Sequence, residues 1–276
     1  MATSKNISIS KASVAIAEPE RQIKIYNEMV EEPTEMFFIE KVIDWEKRIE
    51  GYTDAIKAKY RQGVKKFDEL RSVLSDDAKD WSLVVDNKKK NLTCEQKESD
   101  RGYQMIRVAT HSDEDVLSTW RAFVNFEMMY KMDPSTHSIE MVKVFGVNCG
   151  YGYQKTKKIL TISSRDVYIN VLWNQLQDGS IITVIFDETG DDAPAHKGCV
   201  RMRVPLSGAL IVPDKSNPKK CEVKQVLEVS MEGKIPGYVM KAAIKDQAEG
   251  PVILRKHIGG FVKANAQKMK ENPVVE

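Results

Sequence analysis

Hydrophobic residues change their spacing along the chain, and each change predicts a different kind of element. In the N-terminal quarter they recur in steps of three and four. Phe38, Val42, Trp45, Ile49, Tyr52 and Ile56 form one stripe, and beyond Gly63 the stripe resumes with Val64, Phe67, Leu70 and Leu74. That spacing predicts helices with one buried face, arranged as a helical hairpin. After Ser75-Asp76-Asp77 the period falls to two, which predicts strands over 81–85, 92–97 and 103–110. Ser112-Asp113-Glu114-Asp115 reads as the cap of a helix reaching about 126. Strands are then predicted over 139–145 and 149–155, in a hairpin over 164–186, and over 198–205 and 221–231. Ile235-Pro236-Gly237 opens a long final helix whose inner face reads Met240, Ala243, Ile244, Leu254, Ile258 and Phe261 or Val262. Gly250-Pro251 predicts a kink within it.

The hairpin carries the most information. Its two strands meet at Asp178-Gly179, a strong turn signal between alternating apolar residues. Val167, Ile169, Val171 and Trp173 share one face of the first strand, since alternate side chains point the same way. The second strand, over 181–186, is apolar on both faces, so it belongs inside a sheet that is covered twice. On the last predicted strand Cys221, Val223, Leu227, Val229 and Met231 face one way, and Glu222, Lys224, Glu228 and Ser230 the other. One residue, Gln225, interrupts the apolar face.

No alternation of strand and helix occurs, which excludes a doubly wound parallel sheet. The order predicts an α+β fold: a curved antiparallel sheet closing on one long C-terminal helix, with an N-terminal helical extension. Residues 1–17 are Ser/Ala/Lys-rich and aperiodic and are expected to be a disordered tail. The extension is assigned to 18–62 and the main domain to 63–270.

Composition narrows the function classes. Charged residues make up 30% of the chain, yet the net charge is only +2, which argues against a strongly basic nucleic-acid binder. No run of about 20 apolar residues and no apolar leader is present, so a cytoplasmic protein is expected. Cys94, Cys149, Cys199 and Cys221 are far apart, without Cys-x-x-Cys or histidine at metal spacing, and read as buried reduced thiols. There is no Gly-x-Ser-x-Gly, His-Glu-x-x-His or phosphate-loop pattern. His111, His137, His196 and His257 are scattered. Asp187-Glu188 with Asp191-Asp192 reads as an acidic loop, and Arg165-Asp166 as a structural ion pair at a strand start. No catalytic residue, cofactor or metal is therefore expected.

Spaced fragments give this order a likeness. They are Trp81; Lys131-Met132-Asp133; Ser164-Arg165-Asp166-Val167; Ala193-Pro194; Gly198-Cys199-Val200-Arg201; and Glu232-Gly233-Lys234-Ile235-Pro236. Over about residues 64–268 the chain resembles the StAR-related lipid transfer (START) domain family. The resemblance implies a helix-grip fold that holds one lipid between its sheet and its C-terminal helix, with no catalysis.

It also implies site residues. The family usually has Trp-Asp where this chain has Met132-Asp133, and the acid contacts the lipid polar group in several members, which points to Asp133. Gln154, just after Tyr153, stands where ceramide-carrying members also have glutamine. Gln225 falls at a third head-group position, the same residue that breaks the apolar face. The chain departs from each characterised pocket. Ile185 replaces an asparagine of ceramide carriers, Met129 an arginine of the phosphatidylcholine carrier, and Val171 a buried arginine of cholesterol carriers. Together with Val171, Trp173, Ile185, Met240 and Ile244 as tunnel walls, these residues suggest a ceramide-like lipid or a phospholipid. The family further implies a mobile loop at the tunnel mouth. Lys157, Lys158, Ile159 and Leu160 fall there, and Leu160 and Lys234 stand at two places where ceramide carriers have an exposed tryptophan, so transient docking on a membrane surface is expected. An alternative is a lipid-sensing module whose N-terminal helices bind a protein partner.

Overall fold

The computed structural model describes residues 53–271, apart from positions 78, 147, 160, 161, 177 and 191. The expected tail and most of the helical extension lie outside the described residues. The first described helix, α1 (Asp54–Ser75), runs without interruption through Gly63, so the division drawn at 62/63 falls inside one helix. Gly63 is where α1 meets the sheet: a Cβ there would lie 2.6 Å from Cδ2 of Leu172.

Strands β1 (Ser82–Asn87), β2 (Leu92–Glu98) and β3 (Gln104–Ser112) follow, with a short 3-10 turn at Lys88–Lys90 between the first two. The helical insert is two helices, α2 (Val116–Val124) and α3 (Phe126–Met132). Asp115 caps the first by accepting from Ser118 N at 2.8 Å, and Asn125 breaks the run and caps the second by accepting from Met128 N at 3.2 Å. Then come β4 (Thr136–Gly146), β5 (Cys149–Thr156), β6 (Ser164–Gln175), β7 (Ile181–Asp187), β8 (Cys199–Arg201), β9 (Arg203–Asp214) and β10 (Asn217–Ser230). The long helix α4 (Gly237–Glu271) ends the described chain.

The strands form one ten-stranded sheet in the order β1-β2-β3-β10-β9-β7-β6-β5-β4, with β8 pairing in parallel to β6. All other neighbours are antiparallel. The β6–β7 hairpin lies inside the sheet, as its apolar content requires. One strand was underestimated: the run predicted over 198–205 is β8 followed by β9, which continues to Asp214. Pro205 reads as a terminator in the sequence, but it stands at a register shift between Leu206↔Glu228 and Arg203↔Ser230, where the ladder is already broken.

Each face of the sheet has its own cover. On the outer face Leu172, Ile182, Val184, Leu206 and Val226 pack against Tyr60, Phe67 and Leu70 of α1. Burying each large apolar side chain there contributes about 2 kcal/mol. On the inner face Ile181, Ala209, Ile211 and Val223 pack with Trp120 and Phe123 of α2 and with Leu254 and Ile258 of α4. Because α1 covers the outer side, the polar face assigned to β10 is not solvated at Glu228. That carboxylate is fully buried and accepts from Arg101 at 2.7 Å and Ser99 Oγ at 2.5 Å. Arg165 and Asp166 do not pair with each other either, since neighbours on a strand point to opposite faces. Asp166 pairs with Arg201 at 2.9 Å on the outer face.

Candidate lipid cavity

A cavity of about 250 Å³ lies between the inner face of the sheet and the first half of α4. Its walls are mostly Val, Ile, Leu and Met from β3, β6, β9, β10 and α4. Of the residues expected to line it, Asp133, Gln154, Gln225, Ile185, Met240 and Ile244 do so. Val171 and Trp173 share the strand face but are not among its lining residues. Trp173 packs on Trp120 with ring centroids 4.3 Å apart, and Val171 packs against the cluster of Val167, Ile169, Met202 and Val204. Trp120 is itself held by a bond from Nε1 to Thr183 Oγ1 at 3.1 Å.

The glycines set the shape of two walls. Gly208 of β9, at φ 154°, comes so close to β7 that a Cβ would meet the Thr183 carbonyl oxygen at 2.1 Å. Gly250 lets α4 approach α3, where a Cβ would lie 3.3 Å from Met132 O. Helix α4 continues through Pro251, and both residues line the cavity beside Gln247.

Asp133, Gln154 and Thr136 come together at one end. Asp133 follows α3, and its carboxylate is turned back into the entry of β4. One oxygen accepts from Ser135 N at 3.0 Å and Ser135 Oγ at 2.6 Å, and the other from Thr136 Oγ1 at 3.1 Å. Thr136 is buried and its hydroxyl also accepts from Gln154 Nε2 at 3.2 Å. The register Ile139↔Gln154 places β4 and β5 side by side here. Ser135 and Thr136 were not expected from the sequence, although Asp133-Pro134-Ser135 is a recognisable side-chain-capped turn. Gln225 is half-buried, and among the described residues its side chain has no hydrogen-bond partner. Asp133 is the one ionisable side chain among the described lining residues; Lys, Arg and His are absent from them.

The proposed mouth segments are also placed. Lys157, Lys158 and Lys234 are exposed, and Ile159 is 43% exposed. Leu160 lies outside the described residues. Lys157 is held back, its Nζ donating to Pro134 O at 2.6 Å. Arg165 ties this loop to the segment before α4: it donates to Ser163 O at 2.6 Å, Met231 O at 3.1 Å and Glu232 O at 3.0 Å.

Among the described residues no group of three or more His, Cys, Asp or Glu is placed to hold a metal ion. No described helix is long and apolar enough to cross a membrane. Of the four thiols, Cys94, Cys149 and Cys221 are buried as expected, but Cys199 on β8 is only half-buried.

Known proteins share this architecture. Human StAR-related lipid transfer protein 5 superposes with a TM-score of 0.66 at 16% identity, covering 74% of this chain and 98% of that one. Human STARD10 gives 0.62 at 18% identity, covering 75% and 84%. A StAR-related lipid transfer protein fragment from Xanthomonas axonopodis gives 0.54 at 19% identity, covering 65% and 99%. No curated protein sequence matches the chain. The START domain family model matches residues 66–257. With its ten-stranded sheet closed by a C-terminal helix, the chain belongs to the START domain family.

Proposed function

We propose that this protein binds one lipid in the cavity between sheet and α4 and carries it between membranes without changing it. The observation that carries this reading is the cavity itself: long apolar walls with a cluster of polar groups at one end. Each methylene moved from water into such a space is worth about 0.8 kcal/mol. A bilayer offers nearly the same gain, so tail transfer is close to neutral and selection falls to the polar end. There an unmatched buried donor or acceptor costs about 1–3 kcal/mol.

Exchange takes place at a membrane through the loop of Lys157, Lys158, Ile159 and Leu160 together with Lys234. Tyr238, 70% exposed in the first turn of α4, adds an amphipathic side chain next to that segment. The Arg165 bonds make the two segments one patch. Lys158 and Lys234 have no ion-pair partner among the described residues and are free to meet anionic head groups at about 1 kcal/mol each.

Native mass spectrometry of the full chain, followed by organic extraction, tests the reading. The expected result is an adduct of one intact lipid per protein. A folded protein that takes up nothing from mixed vesicles would overturn it.

A further inference from the structure

The polar end of the cavity has a direction, and it specifies which side of a hydrogen bond the ligand must supply. The Thr136 hydroxyl has a single hydrogen, which goes to the Asp133 carboxylate. Its oxygen can then only accept, so the bond with Gln154 must come from the amide nitrogen. Gln154 is thereby locked with Nε2 turned to Thr136, and its carbonyl oxygen Oε1, which has no partner among the described residues, remains as an acceptor. Asp133 already accepts three bonds from Ser135 and Thr136, so most of its acceptor capacity is spent within the protein and Gln154 Oε1 is the freer acceptor.

Charge points the same way. A phosphodiester buried in this cavity would find no Lys, Arg or His among the described lining residues, and the one charge present is the Asp133 carboxylate. A buried anion without a counter-charge is strongly disfavoured, and the choline of phosphatidylcholine, which brings its own charge, has no N–H to offer the Gln154 acceptor. We infer that the cavity selects a neutral lipid whose polar end donates hydrogen bonds through hydroxyl or amide N–H groups. In this arrangement Gln154 Oε1 is the acceptor, Thr136 the residue that positions it, and Gln225 a second polar contact. This inference rests on the carrier reading and names the ligand class for the same cavity.

The test uses the full chain and phosphatidylcholine vesicles carrying equal amounts of a ceramide, a diacylglycerol and phosphatidylinositol. Protein is re-isolated, and the extracted lipid is compared with the vesicle content. The wild type is expected to retain the ceramide or the diacylglycerol over both phospholipids by about tenfold or more. Thr136→Val, which frees the amide to turn, and Gln154→Leu are expected to keep lipid uptake while lowering that ratio about tenfold. Thr136→Ser, which keeps the hydroxyl, is expected to preserve it. A purely structural role for Thr136 would lower uptake of every lipid alike and leave the ratio unchanged, which would overturn the positioning role. Phospholipid retained at parity or in excess would overturn the inference and leave the carrier reading standing. Retention of no lipid at all would remove the carrier reading, and the inference with it.

Discussion

A Cβ on Gly208 would lie 2.1 Å from the carbonyl oxygen of Thr183, closer than any packed pair of atoms can sit. The oxygen belongs to backbone in the middle of the β7–β9 ladder, between Thr183↔Ala209 and Ile185↔Ser207, so it cannot swing aside as a side-chain tip could. Gly208→Ala is therefore expected to destabilise the fold by about 3 kcal/mol. Chemical denaturation checks this, and a change within about 0.5 kcal/mol of wild type would show that the strands can part without cost.

Helix α1 belongs to the folded unit from its first turns. Tyr60 shares a cluster with Phe67 and Leu70, and its hydroxyl donates to Asn148 Oδ1 at 2.8 Å. One residue before Tyr60, Lys59 bridges Glu188 at 2.6 Å and Asp192 at 3.0 Å. Burial pulls the pKa of this ammonium down, but the two carboxylates outweigh it and hold the group above its usual value. Removing residues 1–60 is expected to lower the melting temperature and loosen the sheet. Removing 1–52 leaves α1 whole and is expected to leave lipid uptake intact, so this second truncation separates a carrier from a module that works through its N-terminal segment.

Much of this fold is legible in the sequence because two periods carry it. The step of two located β1 to β7 and β10, and the step of three and four located the inner face of α4, where Leu254 and Ile258 are 2% exposed. Gln225 was found as a polar interruption of that same alternation, and it lines the cavity. Thr136 was not found, since its role arises only when the turn after α3 and β5 are brought together in space. Trp173 was misjudged as a wall because alternation gives the face of a strand but not the distance along it at which the cavity ends. Glu228 looked solvent-facing because nothing in β10 records that α1 lies over it.

The cysteines should separate by reactivity. Burial pushes the Cys149 thiol up to about 12, and burial together with Glu95 raises Cys94 to about 11. Burial likewise carries Cys221 to about 11 against its hydrogen bonds with Thr119 and Ser112. At pH 8 the thiolate fraction of each is then on the order of one in a thousand or less. Half-buried Cys199 is expected to be alkylated first, giving one rapid modification per chain by mass spectrometry. Rapid labelling of two or more in the native protein would contradict this packing.

Arg101 compensates a carboxylate that no water reaches. Arg101→Ala would leave Glu228 buried with only the Ser99 hydroxyl, and is expected to cost about 1–3 kcal/mol, less than a fully enclosed pair because Arg101 itself is half exposed. Glu228→Gln, which removes the charge and keeps the shape, should cost less than Arg101→Ala. The reverse order in matched denaturation curves would mean that the carboxylate is solvated.

Docking should be electrostatic and shallow. Lys158→Glu and Ile159→Asp are each expected to slow transfer from anionic vesicles about fivefold or more, with little effect on thermal stability, because both side chains are exposed. The effect of Lys158→Glu should fade at high salt, since exposed charges are screened. Transfer rates indifferent to both substitutions and to anionic lipid would place the membrane contact elsewhere.

The most direct test of the account is to fill the cavity. Ala243 projects from α4 into the space beside Met240 and Ile244, and Ala243→Phe would occupy it with apolar atoms while leaving the surface unchanged. The measurement is vesicle-to-vesicle lipid transfer by this variant, with a melting curve beside it. The account predicts a folded protein that neither retains nor transfers lipid. A folded Ala243→Phe variant that still carries lipid at the wild-type rate would contradict the claim that this cavity is the binding site.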